Sequence, residues 1–303
     1  MRLAIVYDAG DREGTTGGYL LRAARSLGLD VVRWTLAEAA HMPPLDLHVR
    51  VDHGDEYEVP WPARLRPAVF YAIDTHLPHS WRKIRRTAGW YDLVACCHRS
   101  GAERLPGAVW LPVACDPDLH AGSAGAPRDL DIAFIGTDGG VPRKFYLQAL
   151  RERYPNSFIS LAPHTQLAAT YGRARIGFNY AIRDDVNMRV FEVMAAGALL
   201  LTNVLSHDDL DRLGLRAEEH LVTYDGPREL FDRIERLLSD APERERIAAA
   251  GRAAVLGHHT YRHRMEELLR IVQEQLGVRL LPEQSVVRSP KSVATDFGLR
   301  TSD

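Results

Sequence analysis

Asn187-Met-Arg-Val-Phe-Glu-Val-Met-Ala-Ala-Gly-Ala-Leu-Leu-Leu-Thr-Asn203 carries the reading of the fold. Val190, Phe191, Val193 and Met194 are apolar at helical spacing, with Arg189 and Glu192 set among them. Gly197 stops the helix, because glycine takes a C-cap conformation without a Cβ penalty, and Ala198 to Leu201 then read as a buried strand. A helix running straight into a buried strand is part of a parallel α/β unit. In such sheets the ligand lies outside the carboxyl ends of the strands, beside helix starts such as this one. A carboxylate there suits a ribose or sugar hydroxyl, and an arginine suits a phosphate.

The alternation continues outward in both directions. Upstream strands are expected at Leu3–Tyr7, Val31–Trp34, Leu45–Val51, Ala68–Ile73, Leu93–Cys97 and Val109–Val113, with helices at Thr16–Leu27 and Ser80–Thr87. Asp116 to Arg128 is rich in Pro, Gly, Ser and Ala and reads as a linker. A second alternation follows, with strands at Ile132–Ile135, Ser157–Leu161, Ile176–Asn179 and Leu221–Tyr224 around the opening stretch. Helices are expected at Arg143–Tyr154, Gln166–Arg173, Pro227–Leu238, Pro242–Leu256 and Tyr261–Leu276. The expected division is a domain over 1–115, a linker over 116–128, a second domain with terminal helices over 129–276, and a tail over 277–303 that has few apolar residues and no period.

Several residues at expected strand ends carry chemistry. Gly14-Thr-Thr-Gly17-Gly18 lies between the first strand and the first helix; Gly17 and Gly18 would let a phosphate approach the helix N-terminus, or would simply make a βα turn. Its spacing is neither Gly-x-Gly-x-x-Gly nor a P-loop. Gly136-Thr-Asp-Gly-Gly140 is followed by Arg143 and Lys144 at a helix start, where cations are unfavourable without an anion. Asp74-Thr-His76 follows a buried strand, making His76 a candidate base and Asp74 its orienter or a sugar ligand. Asp52-His53-Gly54 follows another. Asp116-Pro-Asp118 and Asp129-Leu-Asp131 fit Asp-x-Asp, but chance suffices for both, and no metal site is expected.

The opening stretch resembles the donor-binding signature of GT-B glycosyltransferases related to family 4, through Phe191-Glu192-Val-Met-Ala-Ala-Gly197. It is more similar still to the CgeB group of glycosyltransferase-like proteins, through Arg189 to Asn203, Ala250-Gly251-Arg252 and His259-Thr260-Tyr261-Arg262-His263-Arg264. The resemblance covers about Asp131 to Leu276, and more weakly Trp110 to His120. It implies an α/β fold of GT-B type, two Rossmann-like domains facing each other across a cleft. It implies a nucleotide-sugar-dependent transferase of the hexosyltransferase type, retaining and metal-independent, with no cofactor beyond the nucleotide-diphosphate sugar donor. Glu192 would hold the donor ribose, Gly136, Arg143 and Lys144 the diphosphate, and the first domain a hydroxyl-bearing acceptor, whether glycan, lipid, protein or small molecule. Family 4 also wants a Glu eight residues before Glu192; here it is Asp184, one methylene shorter, and Asn187 and Arg189 would share its work. A GT-B sugar-nucleotide epimerase and a non-catalytic glycan-binding or spore-envelope protein are the other readings.

Composition agrees. The 303 residues carry a net charge of −2 and 46% hydrophobic residues, which disfavours disorder and bulk polyanion binding. Only Lys83, Lys144 and Lys291 are lysines among 38 basic residues. The basic run Trp81 to Arg86 reads as a solvated helix face, not a nucleic-acid surface. No run approaches the roughly 20 apolar residues of a membrane span. Cys96, Cys97 and Cys115 offer neither a disulfide framework nor zinc spacing, and the cytoplasm is the expected compartment.

Overall fold

A computed structural model describes residues 1–8, 14–52, 59–123, 125, 127–183, 185–205 and 208–278. Two parallel sheets account for its eleven strands. The first contains β1 (Arg2–Val6), β2 (Asp30–Trp34), β3 (Leu47–Val51), β4 (Ala68–Ala72), β5 (Leu93–Cys96) and β6 (Val109–Trp110), in the order β2-β1-β3-β4-β5-β6. The second contains β7 (Leu130–Ile135), β8 (Ser157–Ser160), β9 (Ala174–Asn179), β10 (Leu199–Asn203) and β11 (Val222–Tyr224), in the order β11-β10-β9-β7-β8. Both sheets reverse direction beside their first strand, which opens a crevice at the strand ends there.

Helices cover the sheets: α1 (Thr16–Ser26), α2 (Leu36–Ala39), α3 (Pro78–Thr87), α4 (Arg99–Arg104), α5 (Pro117–His120) and α6 (Arg143–Arg153). They are followed by α7 (His164–Arg173), α8 (Met188–Ala196), α9 (Asp209–Arg212), α10 (Gly226–Ser239), α11 (Ala241–His258) and α12 (Tyr261–Leu276). Every strand read from the sequence is present. β3, β4 and β10 are buried along their whole length, as strands covered on both faces must be. α8 ends at Gly197, whose φ of 90° makes the left-handed cap. α8 also lies close on β9: a Cβ at Gly177 would sit 2.2 Å from the Val193 side chain. On α3, Ile84 is buried while Arg82, Arg85 and Arg86 stay exposed, the solvated face expected.

Four short helices, α2, α4, α5 and α9, were not foreseen, since each is one turn or little more and has no measurable period. α5 matters most, because it falls in the segment read as a linker. Asp116 is only 3% exposed and His120 1%. The Asp116 carboxylate accepts from the Asp118 amide, capping α5, and pairs with Arg22 of α1 at 2.7 Å. The segment begins as a buried joint, because a capped turn can satisfy its own backbone while packing against α7 and α8. The tail beyond residue 278 lies outside the described residues.

α12 returns to the first sheet. Tyr261 stacks beside Tyr19 of α1, ring centroids 5.0 Å apart, and the buried Arg264 donates to the Pro112 carbonyl at 2.8 Å. Asp116→Ala removes the partner of Arg22 and the cap of α5 together. We expect a loss of about 2–3 kcal/mol in urea or thermal denaturation, and a smaller loss for Asp116→Asn, which keeps an acceptor in place. Wild-type stability in Asp116→Ala would dismiss this joint as a contributor.

Candidate functional site

The carboxyl ends of the two sheets face each other, and side chains from both meet there. On the second sheet, β7 ends at Gly136, whose φ of 153° and lack of a Cβ make room for a neighbour: a Cβ would lie 2.6 Å from Arg189 Nη2. Arg189, in the first turn of α8, donates from Nε and Nη2 to the Ile135 carbonyl and from Nη1 to Asn179 Oδ1 at 2.9 Å. Its guanidinium lies 4.5 Å from the centre of the Phe134 ring. Arg143 approaches the same ring at 5.7 Å and donates to the carbonyls of Asp138 and Tyr180. The Asp138 carboxylate is turned to Arg151 instead, at 3.1 Å.

Burial and the nearby Arg189 charge lower the pKa of Arg143. Among the described residues neither arginine is in an ion pair. Two guanidiniums are thus held by carbonyl and amide oxygens and repel each other, with Asp138 and Asp185 acting on Arg143 only from beyond ion-pair distance. Lys144, expected to act with Arg143, is exposed on the first turn of α6. Asn187 occupies the N-cap of α8 but makes no capping bond; its Nδ2 reaches Asn179 Oδ1 at 3.4 Å and its buried Oδ1 has no partner.

One turn further along α8 stands Glu192, 9% exposed and without a hydrogen bond among the described residues. Burial pushes its pKa up to about 7, against the opposing pull of Arg189. Its Oε1 lies 3.8 Å from Nε2 of His120. This contact is no ion pair, because burial, with the charges of His164 and Arg22, holds the His120 pKa down at about 3. The Asp116 amide donates to His120 Nδ1 at 2.9 Å, which leaves the ring proton on Nε2, facing Glu192. Tyr19 of α1 closes the group, 5.1 Å from the His120 ring, its buried hydroxyl unpartnered.

Gly17 and Gly18 lie in the first turn of the same α1. The Gly18 amide is taken by the Thr15 side chain at 3.3 Å, and a Cβ at Gly17 would strike the Tyr7 ring at 2.2 Å. Packing against Tyr7 therefore accounts for Gly17 by itself. Gly14 touches the opposite half, where its Cβ would meet the His164 ring at 2.2 Å.

On the first sheet, Asp52 holds the end of β4 by accepting from the amides of Ile73 and Asp74 at 3.0 and 3.3 Å. His53 and Gly54 lie outside the described residues. Asp74 is raised in pKa by burial, partly offset by His98. His76 is lowered to about 4 by burial and by His98, so its imidazole is neutral near pH 7. The His76 and His98 rings are 4.1 Å apart, and His98 Nε2 lies 3.5 Å from Asp185 Oδ2 of the opposite half. Asp184 lies outside the described residues; its neighbour Asp185 is the carboxylate placed at the crevice.

The two Asp-x-Asp pairs are otherwise engaged. Asp129 binds Arg173, Asp131 binds Arg175, and Asp116 binds Arg22. His259 and His263 are structural: one bonds the Leu213 carbonyl and Arg264, the other caps α12 through Thr260. Sequence reasoning missed His98, His120, Asp185 and Tyr19. His98 directly follows the β5 end, the rule that found Asp74, and was open to detection; His120 and Tyr19 carried no signal.

No curated protein sequence matches the chain significantly. Residues 125–270, which include Arg143, Arg189 and Glu192, match the family model described as glycosyl transferase-like. Among solved structures, sucrose-phosphate synthase from Thermosynechococcus elongatus superposes with a TM-score of 0.64 at 12% identity, over 92% of this chain and 100% of that one. Anabaena HepE in complex with UDP and glucose gives 0.66 at 13% identity, over 90% and 100%. T4 phage BGT in complex with UDP-glucose gives 0.59 at 13% identity, over 92% and 100%. The fold is therefore GT-B, two Rossmann-like halves about a crevice, and its second half carries the glycosyl transferase-like match.

Proposed function

We propose that this protein is a glycosyltransferase that takes a hexosyl group from a nucleotide-diphosphate sugar and passes it to a hydroxyl. The observation that carries the reading is the pair Arg143 and Arg189 at the end of β7, with Glu192 one turn along from Arg189 on the same helix. A diphosphate relieves the repulsion of the two arginines. As the glycosidic bond breaks, negative charge grows on the leaving diphosphate, and fixed guanidiniums stabilise that state more than the ground state. With two arginines carrying this charge, the diphosphate needs no metal. Gly136 and Lys144 would complete the phosphate end, with the start of α1 at Gly17 and Gly18 as a contact from the first half.

Glu192 binds the ribose. A hydroxyl placed between it and His120 would accept from Nε2 and donate to the carboxylate, giving each an absent partner. Asn187, and Asp184 before it, would address the sugar. Asp74 and His76 line the acceptor side. The likeness to family 4 favours retention, in which an oxygen of the donor diphosphate takes the acceptor proton and no protein base is required. The acceptor is a hydroxyl compound of unassigned class. HepE and BGT were solved with UDP or UDP-glucose, which puts uridine first among the bases to try.

A thermal-shift panel of UDP-, dTDP-, GDP- and ADP-sugars tests the reading. One nucleotide at about 100 times its Kd should stabilise the protein by roughly 2.7 kcal/mol. Arg143→Ala and Arg189→Ala should each weaken that nucleotide by about 10- to 100-fold, the loss of a charge-assisted contact, and Glu192→Ala should weaken it as well. A flat response of the wild type to every nucleotide sinks the proposal.

Glu192 adds a pH signature. Its folded pKa of about 7 exceeds the ordinary carboxylate value. Between the two values the folded state holds more protons than the unfolded chain, so stability falls as pH rises. Glu192→Gln removes this slope. Without ligand, the variant should gain on wild type between pH 5 and pH 8 by an amount on the order of 1–3 kcal/mol. A difference between the two that stays constant with pH would show that Glu192 is ionised throughout.

A further inference from the structure

We propose that His76, His98 and Asp185 form a binding site for a zinc-class divalent cation that ties the two halves of the crevice together. One ligand atom from each lies within 4.8 Å of the other two. The histidines stand at the ends of β4 and β5, which are hydrogen-bonded neighbours, whereas Asp185 comes from the segment between β9 and α8 on the other sheet. The cluster therefore exists only where the two halves meet, and no spacing in the sequence announces it.

Three features of the surroundings suit a metal. The Thr75 hydroxyl lies 3.1 Å from His98 Nδ1, which leaves Nε2 to face Asp185. Such an outer contact orients the ring of a ligating histidine. Thr75 is itself fully buried and locked in place, since a Cβ at Gly101 would come within 2.6 Å of it. His76 Nδ1 is buried with no partner, although buried ring nitrogens are ordinarily satisfied. Two imidazoles and one carboxylate form a mixed N/O set suited to zinc and its first-row neighbours rather than to magnesium or calcium. Three protein ligands also leave a fourth position for water or a hydroxyl.

The spacing adds a consequence. At bond lengths of 2.0–2.1 Å, tetrahedral ligand atoms stand about 3.3 Å apart. His98 Nε2 and Asp185 Oδ2, which come from opposite halves, already stand 3.5 Å apart, so the cation would hold the halves in their present relation. Arg99, the residue after His98, already bridges in this direction, to Asp208 at 2.9 Å and Asp209 at 2.5 Å. The cation would thus add a second tie between the halves beside this one.

The test uses tag-free, chelator-treated full-length protein titrated with Co2+ and with Zn2+. We expect one equivalent of Co2+ to give the visible absorption of a low-symmetry site, with Zn2+ displacing it. His98→Ala and Asp185→Ala should each weaken binding by at least about tenfold, and Thr75→Ala by about tenfold through the ring it orients. Failure of wild-type protein to bind a stoichiometric ion overturns the site whatever the variants do, as does undiminished binding by folded His98→Ala or Asp185→Ala. None of these readouts depends on nucleotide, so the site stands or falls apart from the transferase reading.

Discussion

The chain crosses between its two sheets twice, and the crossings are bonded to each other. The Cys115 amide donates to the His259 carbonyl at 3.0 Å, and the Tyr261 amide donates to the Cys115 carbonyl at 2.9 Å. Much of the crevice depends on this short parallel bridge. It sets α12 against α1, and so puts Tyr19 over His120. It begins the α5 turn at Asp116, whose backbone amide sets the tautomer of His120 and whose carboxylate holds Arg22. One joint therefore fixes both the relation of the halves and the polar surroundings of Glu192. Apart from Arg22, which is partly exposed, these groups are buried, so they are not free to find another partner in water.

What the sequence revealed follows from where its signals live. A strand covered on both faces must be apolar throughout, so β1, β3, β4 and β10 are legible as runs. Longer helices show a period, and α8 and α12 carry their stops at Gly197 and Gly277. A turn such as α5 buries too few residues to show a period. Its proline and its Gly-rich sequel then resemble a linker, although its carboxylate cap and histidine are among the most buried polar groups of the chain.

Candidate residues were legible where they lie close together in sequence. Glu192, Arg189 and Arg143 lie within one or two elements of the motif that marks them, and the structure places the two arginines on the same aromatic ring. Gly17 shows the limit of that logic, since a glycine beside a helix start serves a phosphate or a tyrosine ring equally well in sequence. His98 and Asp185 are 87 positions apart in the numbering and meet only across the crevice. The family-4 spacing points to Asp184, whereas the geometry puts the adjacent Asp185 against a histidine.

On the proposed reading, the electrostatics along the first half of α8 would let one helix address both parts of a nucleotide-sugar donor. Its first turn presents Arg189, beside Arg143 from α6, and among the described residues neither is in an ion pair with a carboxylate. One turn later burial raises the Glu192 pKa to about 7, so its protonated and ionised forms are both populated near neutral pH. A charged diphosphate and an uncharged ribose make the same sequence of demands over a comparable distance, about one helical turn of 5.4 Å. A carboxylate with a pKa near 7 can donate or accept a hydrogen bond as the ligand requires, which a fully ionised one cannot. His120, whose tautomer is set by the Asp116 amide beside the crossing at Cys115, stands 3.8 Å from that carboxylate, so the joint between the halves shapes the polar surroundings of Glu192.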